Sequence, residues 1–491
     1  MKRMPNFAKV KAELQDIDPV IQSAKTAMTS CDIAFVGYAH SDVYGKSVGS
    51  GYAYLIPRTN FQFYQINPKS NFDRLSRHVY QAYMKDSTFV ASKLAKMEGL
   101  NARLKRSWLL IRKSPVVTYK LFDEHVELFR EWWKYALLAE DKGNIIDELI
   151  IPKLAAAKHI SVRDATELVK ICTQKPSVFS QERSEFLNLC LLKHSRASAL
   201  FEKRLAAYLK NYFWIKTDFF ESFRYDQHAV EQAIERELKK FGVDELKAEL
   251  TLLKEKQLEQ LHKHSRIKLS QSSRKDMALA SQIISFVDKR KSVMMQNFFY
   301  FFHILSRVAN QTKISCMEIK LYTVDELKAV LRTGRKLSSR ELSRRKKGVF
   351  IVYAFNKPAV LFTGKEAREL FSIISHSIKT SFLQGQVAST GGNAAVKGRV
   401  KIIRDAKNQP FPKDAILVTS MTRVEFIPLM RRAKAVITDE GGLACHAAIV
   451  SRELGIPCII GAKNATRLLK DQDLIEMNMA TGSIKVLSGP K

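Results

Sequence analysis

The sequence predicts a multidomain protein with a largely α-helical N-terminal region followed by a C-terminal α/β domain. Its 491 residues exceed the size of one domain, and a hydrophobic content of 46% is enough to form cores. From Asn71 to about Arg344, apolar residues recur at the i, i+3, i+4 spacing of amphipathic helices. Beyond residue 382, short apolar runs alternate with glycine-containing turns and short helical segments, which is typical of an α/β domain.

The first 65 residues are predicted to form a mixed N-terminal region. Aromatic residues, glycines and short alternating runs between residues 33 and 57 indicate strands or an irregular platform. The aromatic side chains either line a ligand pocket or pack against the helices that follow, and we favour packing. The N-terminus is charged and carries no apolar signal segment, and no apolar run can span a bilayer. We therefore expect a cytoplasmic protein with no membrane partner.

Residues 66–345 are expected to form a basic helical domain. Three capping-box patterns mark the starts of helices: Ser161 with Asp164, Thr323 with Glu326, and Ser338 with Glu341. Gly334 would end the helix that begins after Thr323. The basic run 344–347 either binds phosphates or is a solvated helix end, and we favour the helix end.

Residues 346–381 are predicted to be a connector made of a β-hairpin over 349–364 and a helix over 365–378. The small, polar and glycine-rich segment from Gln384 to Asn393 predicts a hinge, at which a C-terminal domain comprising residues 382–491 begins. Strands of this domain are predicted at 395–403, 415–419, 434–438, 458–460, 473–478 and 483–487, with a short helix over 425–433.

Residues 437–461 contain the most informative pattern in the chain. A buried strand leads into a tight turn, Thr438–Gly442, whose two glycines are free to adopt positive φ. A helix over Ala444–Leu454 follows, and a second apolar strand comes at 458–460. His446 therefore falls in the first turn of a helix that follows a glycine-rich turn.

His446 lies where unpaired backbone N–H groups and the positive end of the helix dipole favour an anion. A neutral imidazole at such a place is able to attack phosphorus and pass the phosphoryl group on. Thr438, Gly441 and Gly442 would then form the turn that holds the phosphoryl oxygens. The alternative is a hydrogen-bonded helix histidine without chemistry, which spacing alone leaves open.

The stretch resembles the phosphohistidine signature of the mobile (swivelling) domain of the phosphoenolpyruvate-utilising enzymes. Phosphoenolpyruvate synthase, pyruvate phosphate dikinase and rifampin phosphotransferase are members of this family. The pattern is met in order by Thr438, Gly441-Gly442, His446-Ala447-Ala448, Ile449-Val450, Arg452-Glu453, Gly455 and Pro457. Ser451 occupies a position that is often Ala in the family, and the resemblance extends over about 382–491.

The resemblance implies a swivelling phosphohistidine domain that carries its phosphoryl group on His446. We expect Arg452 and Glu453 to fix the helix and its neighbours, and not to touch phosphate. No metal ligands are predicted among these residues.

Members of the family that run the whole reaction need an ATP-grasp domain or a phosphoenolpyruvate-binding barrel. The sequence has no GxxxxGK[ST] loop, no strand–helix alternation over 66–345 and no dense acidic cluster that would hold a metal. We therefore expect Mg²⁺ and ATP or phosphoenolpyruvate to be bound by a partner, most simply an ATP-grasp-type protein acting in trans.

The net charge of +32 favours anionic partners. Residues 382–491 hold 16 basic and 9 acidic residues, a net charge of +7, so the rest of the chain carries +25. Two functions fit this distribution. In the first, the protein is a phosphotransferase component whose basic helical region binds an anionic small-molecule acceptor. In the second, it is a nucleic-acid-binding or scaffold protein that retains a swivelling domain as a module.

Overall fold

The computed structural model describes residues 6–15, 19–25, 28, 51–56, 62–136, 138, 144–173, 177–217, 221–222, 225–265, 269–354, 357–379, 383–404, 406, 410–441, 445–462 and 465–489. Helices dominate the N-terminal part, and a separate sheet with short helices forms the C-terminal part. The predicted fold class is confirmed. None of the described helices is long and apolar enough to cross a membrane.

An antiparallel sheet joins the first strands of the chain to the predicted hairpin. Its strands, in the order β1-β3-β2-β4-β5, are β1 Pro19–Lys25, β2 Gly51–Ile56, β3 Gln62–Pro68, β4 Val349–Ala354 and β5 Lys357–Thr363. The hairpin prediction is confirmed, whereas the sequence did not indicate that β4 pairs with β2. Most of the aromatic segment 33–57 lies outside the described residues.

Two helices from opposite ends of the N-terminal part pack together against this sheet. They are α1 (Phe7–Gln15) and α14 (Lys365–Lys379). Val10 and Leu14 of α1 share a buried cluster with Phe350 and Leu370. The sheet is therefore held by side chains that are more than 330 positions apart in the sequence.

The helical region contains twelve helices among the described residues. They are α2 Lys69–Lys85, α3 Phe89–Lys113, α4 Tyr119–Ala136, α5 Ile151–Lys158, α6 Val162–Thr173, α7 Val178–His194, α8 Ser198–Tyr212, α9 Gln227–Lys240, α10 Val243–Ser265, α11 Gln271–Thr312, α12 Val324–Thr333 and α13 Ser339–Lys346. A π-helical segment, Asn144–Ile150, leads into α5, and a 3₁₀ turn, Ile319–Leu321, precedes α12.

The predicted helix starts are confirmed. Thr323 and Glu326 form a complete capping box, while the hydroxyls of Ser161 and Ser338 accept the backbone N–H of the third residue beyond. These hydroxyls satisfy N–H groups that a helix leaves unpaired at its start. Gly334 ends α12 in the left-handed conformation, with φ of 74°.

The 42-residue helix α11 runs through the middle of the helical core. Its C-terminal half is lined with buried aromatic residues, and Phe298 and Phe301 meet Phe129 of α4 at centroid distances of 5.4 and 6.1 Å. Such aromatic contacts add to the area that the rings bury. These ring contacts therefore hold α11 against α4 in the helical core.

The basic run at the end of α13 is not a uniform solvated surface. Arg345 is only 4% exposed, and its guanidinium donates to Glu326 at 2.7 and 2.6 Å and to Glu341 at 3.0 Å. It also donates to the carbonyl of Leu321 at 2.8 Å. Arg345 therefore ties α13 to the start of α12, and the interpretation of the run as a solvated helix end is wrong for this residue.

The C-terminal domain is a seven-stranded sheet in the order β12-β11-β7-β8-β9-β10-β6. Its strands are β6 Gln386–Ser389, β7 Ala395–Ile402, β8 Ile416–Thr419, β9 Ala435–Thr438, β10 Cys458–Ile460, β11 Leu474–Asn478 and β12 Ile484–Ser488, and its helices are α15 Ile427–Met430, α16 His446–Glu453 and α17 Ala465–Leu468. The four central strands β7, β8, β9 and β10 are parallel.

The segment 384–393 was expected to be a hinge, and this prediction is wrong. β6 lies within it and pairs antiparallel with β10 as an edge strand of the sheet. Gly391, with φ of 54°, packs so closely on the turn before β10 that a Cβ would stand 2.6 Å from the Pro457 ring. Gly391 is therefore required by its positive φ and by close packing, and composition does not distinguish such a requirement from flexibility.

Candidate functional site

The candidate site lies at the carboxyl ends of the parallel strands β8 and β9. Open α/β sheets bind ligands at this edge, because the loops after neighbouring strands converge there. Thr419 and Thr438 end the two strands and are paired in register. The loop after β8 supplies Thr422, and the loop after β9 leads to His446.

Backbone bonds between the two loops fix the turn after β9. The N–H groups of Asp439 and Glu440 donate to the carbonyls of Thr419 and Ser420 at 3.1 and 2.9 Å. Thr438 is fully buried, and its hydroxyl donates to the Glu440 carbonyl at 2.7 Å. In this arrangement the hydroxyl hydrogen of Thr438 shapes the turn. Its predicted contact with phosphate stays a prediction.

A buried carboxylate fixes the other side of the turn. The Asp439 side chain is 8% exposed and accepts the Thr466 backbone N–H at 3.0 Å as well as the Thr466 hydroxyl. Thr466 lies on α17, which packs on β8 and β9. These two bonds therefore anchor the turn to α17, since Thr466 follows Asp439 by 27 residues in the chain.

Gly441 occupies a backbone conformation that side chains rarely adopt. Its φ is 124°, and a Cβ placed there would stand 2.6 Å from Cys445 Sγ. Both the dihedral and the contact require glycine. Gly442, the second glycine of the predicted turn, lies outside the described residues.

His446 is the first residue of α16, as predicted to within the first turn. Cys445 is the N-cap, and its Sγ accepts the backbone N–H of Ala448 at 3.5 Å. The first N–H groups of a helix have no carbonyl partner within the helix, and the dipole there favours negative charge. His446 is thus set where a phosphoryl group would meet backbone donors.

The Thr422 hydroxyl lies 2.8 Å from Nδ1 of His446. Thr422 is buried, so this hydroxyl holds the ring in one orientation. With Nδ1 engaged, Nε2 is the ring nitrogen left for attack. For Nε2 to have a lone pair, the proton must be on Nδ1, which then donates to the Thr422 oxygen. Sequence reasoning missed Thr422, because it comes from the loop after a different strand and no spacing links it to His446.

The pKa of His446 is lowered from its ordinary value of 6.5. Burial is the main cause, since it disfavours the charged ring, and the Lys291 ammonium acts in the same direction. Glu425 and Glu453 oppose the shift. The net effect favours the neutral imidazole, which is the form that has a nucleophilic nitrogen.

Arg452 and Glu453 sit at the far end of α16. Arg452 donates to the backbone carbonyl of Ala388 on β6 at 3.4 Å, so it joins the helix to the edge of the sheet. Glu453 is exposed and acts on His446 only through its charge. The bond of Arg452 to β6 fits the predicted role of fixing the helix, and the same role for Glu453 stays a prediction.

Within the described ranges, no cluster of three or more His, Cys, Asp or Glu side chains is arranged to hold a metal ion. The site is therefore best described by its imidazole, its threonine and its helix N-terminus. Such a set is able to form and break a bond between nitrogen and phosphorus.

Residues 411–482 match the family described as PEP-utilising enzyme, mobile domain. The similar proteins include a probable phosphoenolpyruvate synthase of Methanothermobacter thermautotrophicus, 43% identical over 130 residues that make up 26% of this chain and 18% of that protein. The phosphoenolpyruvate synthase of Pyrococcus furiosus is 54% identical over 89 residues, 18% of this chain and 10% of that protein.

A third relative is the uncharacterized phosphotransferase YvkC of Bacillus subtilis, 36% identical over 161 residues, or 31% of this chain and 19% of that protein. In each case the similarity spans less than a fifth of the relative's length. The resemblance of the C-terminal stretch is confirmed, and it concerns the part of the chain that holds His446.

Proposed function

We propose that the protein is a phosphotransferase component that carries a phosphoryl group on His446, because residues 411–482 match the family described as PEP-utilising enzyme, mobile domain. The group comes from a nucleotide- or phosphoenolpyruvate-binding partner and goes to an acceptor bound by the helical region. One observation carries the proposal: His446 begins a helix in this family's domain, with its Nδ1 held by Thr422 at 2.8 Å.

Charging begins with the lone pair of Nε2. It attacks the phosphorus of the donor, a bond between nitrogen and phosphorus forms, and the P–O bond to the leaving group breaks with its electron pair. Nδ1 keeps its proton and donates it to the Thr422 oxygen throughout. The N–H groups at the start of α16 and the turn around Gly441 support the phosphoryl oxygens.

Delivery reverses this step on a different molecule. An oxygen nucleophile of the acceptor attacks phosphorus, and the N–P bond breaks with its electron pair returning to Nε2. The proton of the acceptor hydroxyl passes to water. His446 ends as the neutral imidazole that began the cycle, ready for another charge.

A partner protein binds and positions the phosphoryl donor in this proposal. Transfer from ATP needs a positioned triphosphate with bound Mg²⁺, and electrostatic stabilisation supplies most of the rate. The relatives named phosphoenolpyruvate synthase suggest ATP or phosphoenolpyruvate as the ultimate donor. An ATP-grasp-type protein acting in trans is the partner that fits this chemistry.

A second function is supported by the charge of +25 outside residues 382–491. Such a surface would attract nucleic acid, with the swivelling domain kept as a module. Binding of this kind weakens steeply as salt rises, because it releases counterions. Nucleic-acid affinity that falls with salt and is indifferent to His446→Ala would favour this alternative over the carrier.

The test of the carrier function is labelling with radioactive donor. The pure protein is incubated with Mg²⁺ and labelled ATP or phosphoenolpyruvate, with and without an ATP-grasp partner from the native cell. We expect alkali-stable, acid-labile label on His446 only when the partner is present. Stoichiometric labelling by ATP alone would contradict the need for a partner, and alkali-stable label that survives His446→Ala would contradict the site.

A further inference from the structure

Exposed apolar side chains are concentrated where α3 turns into α4. Leu109, Leu110, Val116 and Tyr119 are all exposed. Leu110 is 61% exposed, the highest value among the large apolar residues that the structure describes. A group of apolar side chains left in water is typical of an interaction site. Residues 103–120, which contain this group, are here named the α3–α4 tip.

The α3–α4 tip is also strongly basic. It holds six Lys or Arg residues and no Asp or Glu, a net charge of +6. All six are exposed, and none makes an ion pair with another described residue. They are Arg103, Lys105, Arg106, Arg112, Lys113 and Lys120. These cations are therefore available to the anions of a partner.

The end of α3 places apolar and basic side chains on one outer face. Its inner face is marked by Leu104 and Ile111, which are fully buried. The opposite face is formed by four residues at the i, i+3, i+4, i+7 spacing of a helical stripe, in order Arg106, Leu109, Leu110 and Lys113. Two leucines thus lie between two long side chains, whose charged heads can extend away from an apolar surface.

The turn that ends the tip is fixed to the long helix α11. The guanidinium of Arg307 donates to the carbonyls of Ser114 and Pro115 at 2.5 and 3.3 Å, and it also donates to the carbonyl of Ile111. Three carbonyls of one turn therefore share a single donor group. A surface held in one shape in this way loses little conformational freedom when it binds.

The backbone carbonyls of the turn are paired within the protein. Gln311 of α11 accepts the N–H of Val117 at 2.9 Å and donates to its carbonyl at 3.1 Å. The Ser114 hydroxyl donates to the carbonyl of Val116 at 2.6 Å. With the bonds from Arg307, each carbonyl from Ser114 to Val117 has a donor. Such pairing is required where a backbone leaves water for an apolar surrounding.

The chemistry of the α3–α4 tip fits the surface of an anionic lipid bilayer. Lys and Arg are attracted to negatively charged head groups, while aliphatic side chains enter the boundary with the acyl chains. A second copy of the tip would be repelled, because each carries the same charge of +6. Single-stranded nucleic acid stacks its bases on aromatic rings, whereas three of the four exposed apolar residues here are aliphatic.

We propose that the α3–α4 tip binds bilayers that contain anionic lipids, with its apolar side chains in the head-group boundary and its cations on the lipid phosphates. The proposal goes beyond the carrier function and does not depend on it. The prediction of no membrane partner rested on the lack of a signal segment and of an apolar run that spans a bilayer. Binding to a membrane surface requires neither.

The test is sedimentation of the full-length protein with vesicles of phosphatidylcholine, alone or mixed with phosphatidylglycerol. A net charge of +32 attracts anionic vesicles at many places, so matched variants are needed. Leu110→Ser is compared with Leu252→Ser, which changes a leucine of α10 that is 50% exposed. Arg106→Gln with Lys113→Gln is compared with Lys203→Gln with Lys247→Gln, which removes the same charge elsewhere. A thermal melt of each variant checks its fold.

We expect the mixed vesicles to bind the protein and the pure phosphatidylcholine vesicles to bind it far more weakly. Each tip variant should weaken binding to the mixed vesicles by about tenfold, because it removes one inserted leucine or two cations at the lipid surface. The two controls should bind like the unmodified protein. Leu110→Trp should show a blue shift of its fluorescence when the mixed vesicles are added, because the indole enters an apolar surrounding.

Four results would overturn the proposal. They are no binding to either kind of vesicle, equal binding to both kinds, binding that the controls weaken as much as the tip variants do, and a Leu110→Trp emission that does not shift. Binding of nucleic acid or of an acidic protein that the tip variants weaken, without binding of vesicles, would assign the tip to that partner instead.

Discussion

Thr422 is the residue on which the chemistry of His446 depends most directly. Its hydroxyl, 2.8 Å from Nδ1, sets the orientation of the ring and accepts the Nδ1 proton when Nε2 is the attacking nitrogen. A motif search finds the histidine and its glycines, because these are close together in the sequence. The threonine comes from the loop after the preceding strand, 24 residues earlier.

We predict that Thr422→Val slows phosphorylation of His446 on the order of tenfold to hundredfold, since the ring loses its fixed orientation. Valine keeps the volume and removes the hydroxyl, so the fold should be retained. Thr422→Ser keeps the hydroxyl and should label at nearly the normal rate. Imidazole ¹⁵N shifts should show the Nδ1–H tautomer in the unmodified protein and a mixture of tautomers in Thr422→Val. Unchanged shifts in the valine variant would refute this role.

The lowered pKa of His446 predicts how its reactivity depends on pH. Only the neutral ring reacts, and its fraction rises with pH until the lowered pKa is passed. Carbethoxylation of His446 by diethyl pyrocarbonate, followed by peptide mapping, should therefore reach its plateau at a lower pH than carbethoxylation of a free imidazole with the ordinary pKa of 6.5. A plateau at the same pH or at a higher one would contradict the lowered pKa.

Arg345 makes a buried polar connection between two helices that the sequence did not indicate. Its guanidinium joins α13 to α12 through Glu326 and to its own helix through Glu341, and it is 4% exposed. A run of basic residues gives no sign that one of its members is buried, because burial depends on the angle at which the helix packs.

We predict that Arg345→Ala lowers the free energy of unfolding by about 3–5 kcal/mol, because it leaves the Glu326 carboxylate without its partner. Arg344→Ala is the matched control, since the Arg344 side chain is half exposed and its ion pairs to Glu366 and Glu341 are at 3.8 and 4.0 Å. That variant should change stability by less than about 1 kcal/mol. Urea unfolding of both variants measures the difference, and equal losses would contradict the assignment.

The elements that local signals specify were predicted well. Capping hydroxyls at Ser161, Thr323 and Ser338 mark helix starts, and the alternation of short apolar runs marks β7 to β12. These signals act within a few residues of the chain, so one sequence is enough to read them. The strand–turn–helix unit around His446 was likewise predicted from signals within a few residues of one another.

Features that depend on distant contacts were not predicted. The pairing of β2 with β4 joins positions about 300 residues apart, and glycines such as Gly391 are required by a neighbour that only the fold brings close. The same reason explains the hinge error at 384–393, since an edge strand beside a tight turn has the composition of a linker.

The C-terminal domain has the organisation of an independent folding unit. Among the residues that the structure describes, its two buried clusters are drawn from positions between 383 and 484, and its sheet takes no strand from the N-terminal part. A carrier that visits two sites must keep its own structure when it leaves either one.

We therefore predict that a fragment of residues 383–491 unfolds in one cooperative thermal transition. A fragment of residues 394–491 lacks β6 and exposes the edge of β10, so it should melt at a lower temperature and aggregate more readily. Circular dichroism measures the melting temperature of each fragment, and light scattering measures its aggregation. A non-cooperative melt of the longer fragment, or identical melts of both, would count against an autonomous carrier domain.

The central claim is that His446 carries phosphate in the cell. The most direct measurement is to isolate the protein from its native cells under alkaline conditions and map the phosphate by mass spectrometry with electron-transfer fragmentation. We predict an acid-labile, base-stable phosphate on His446, one of the 11 histidines in the sequence, and on none of the others. Phosphate on a different histidine, or acid-stable phosphate alone, would contradict it.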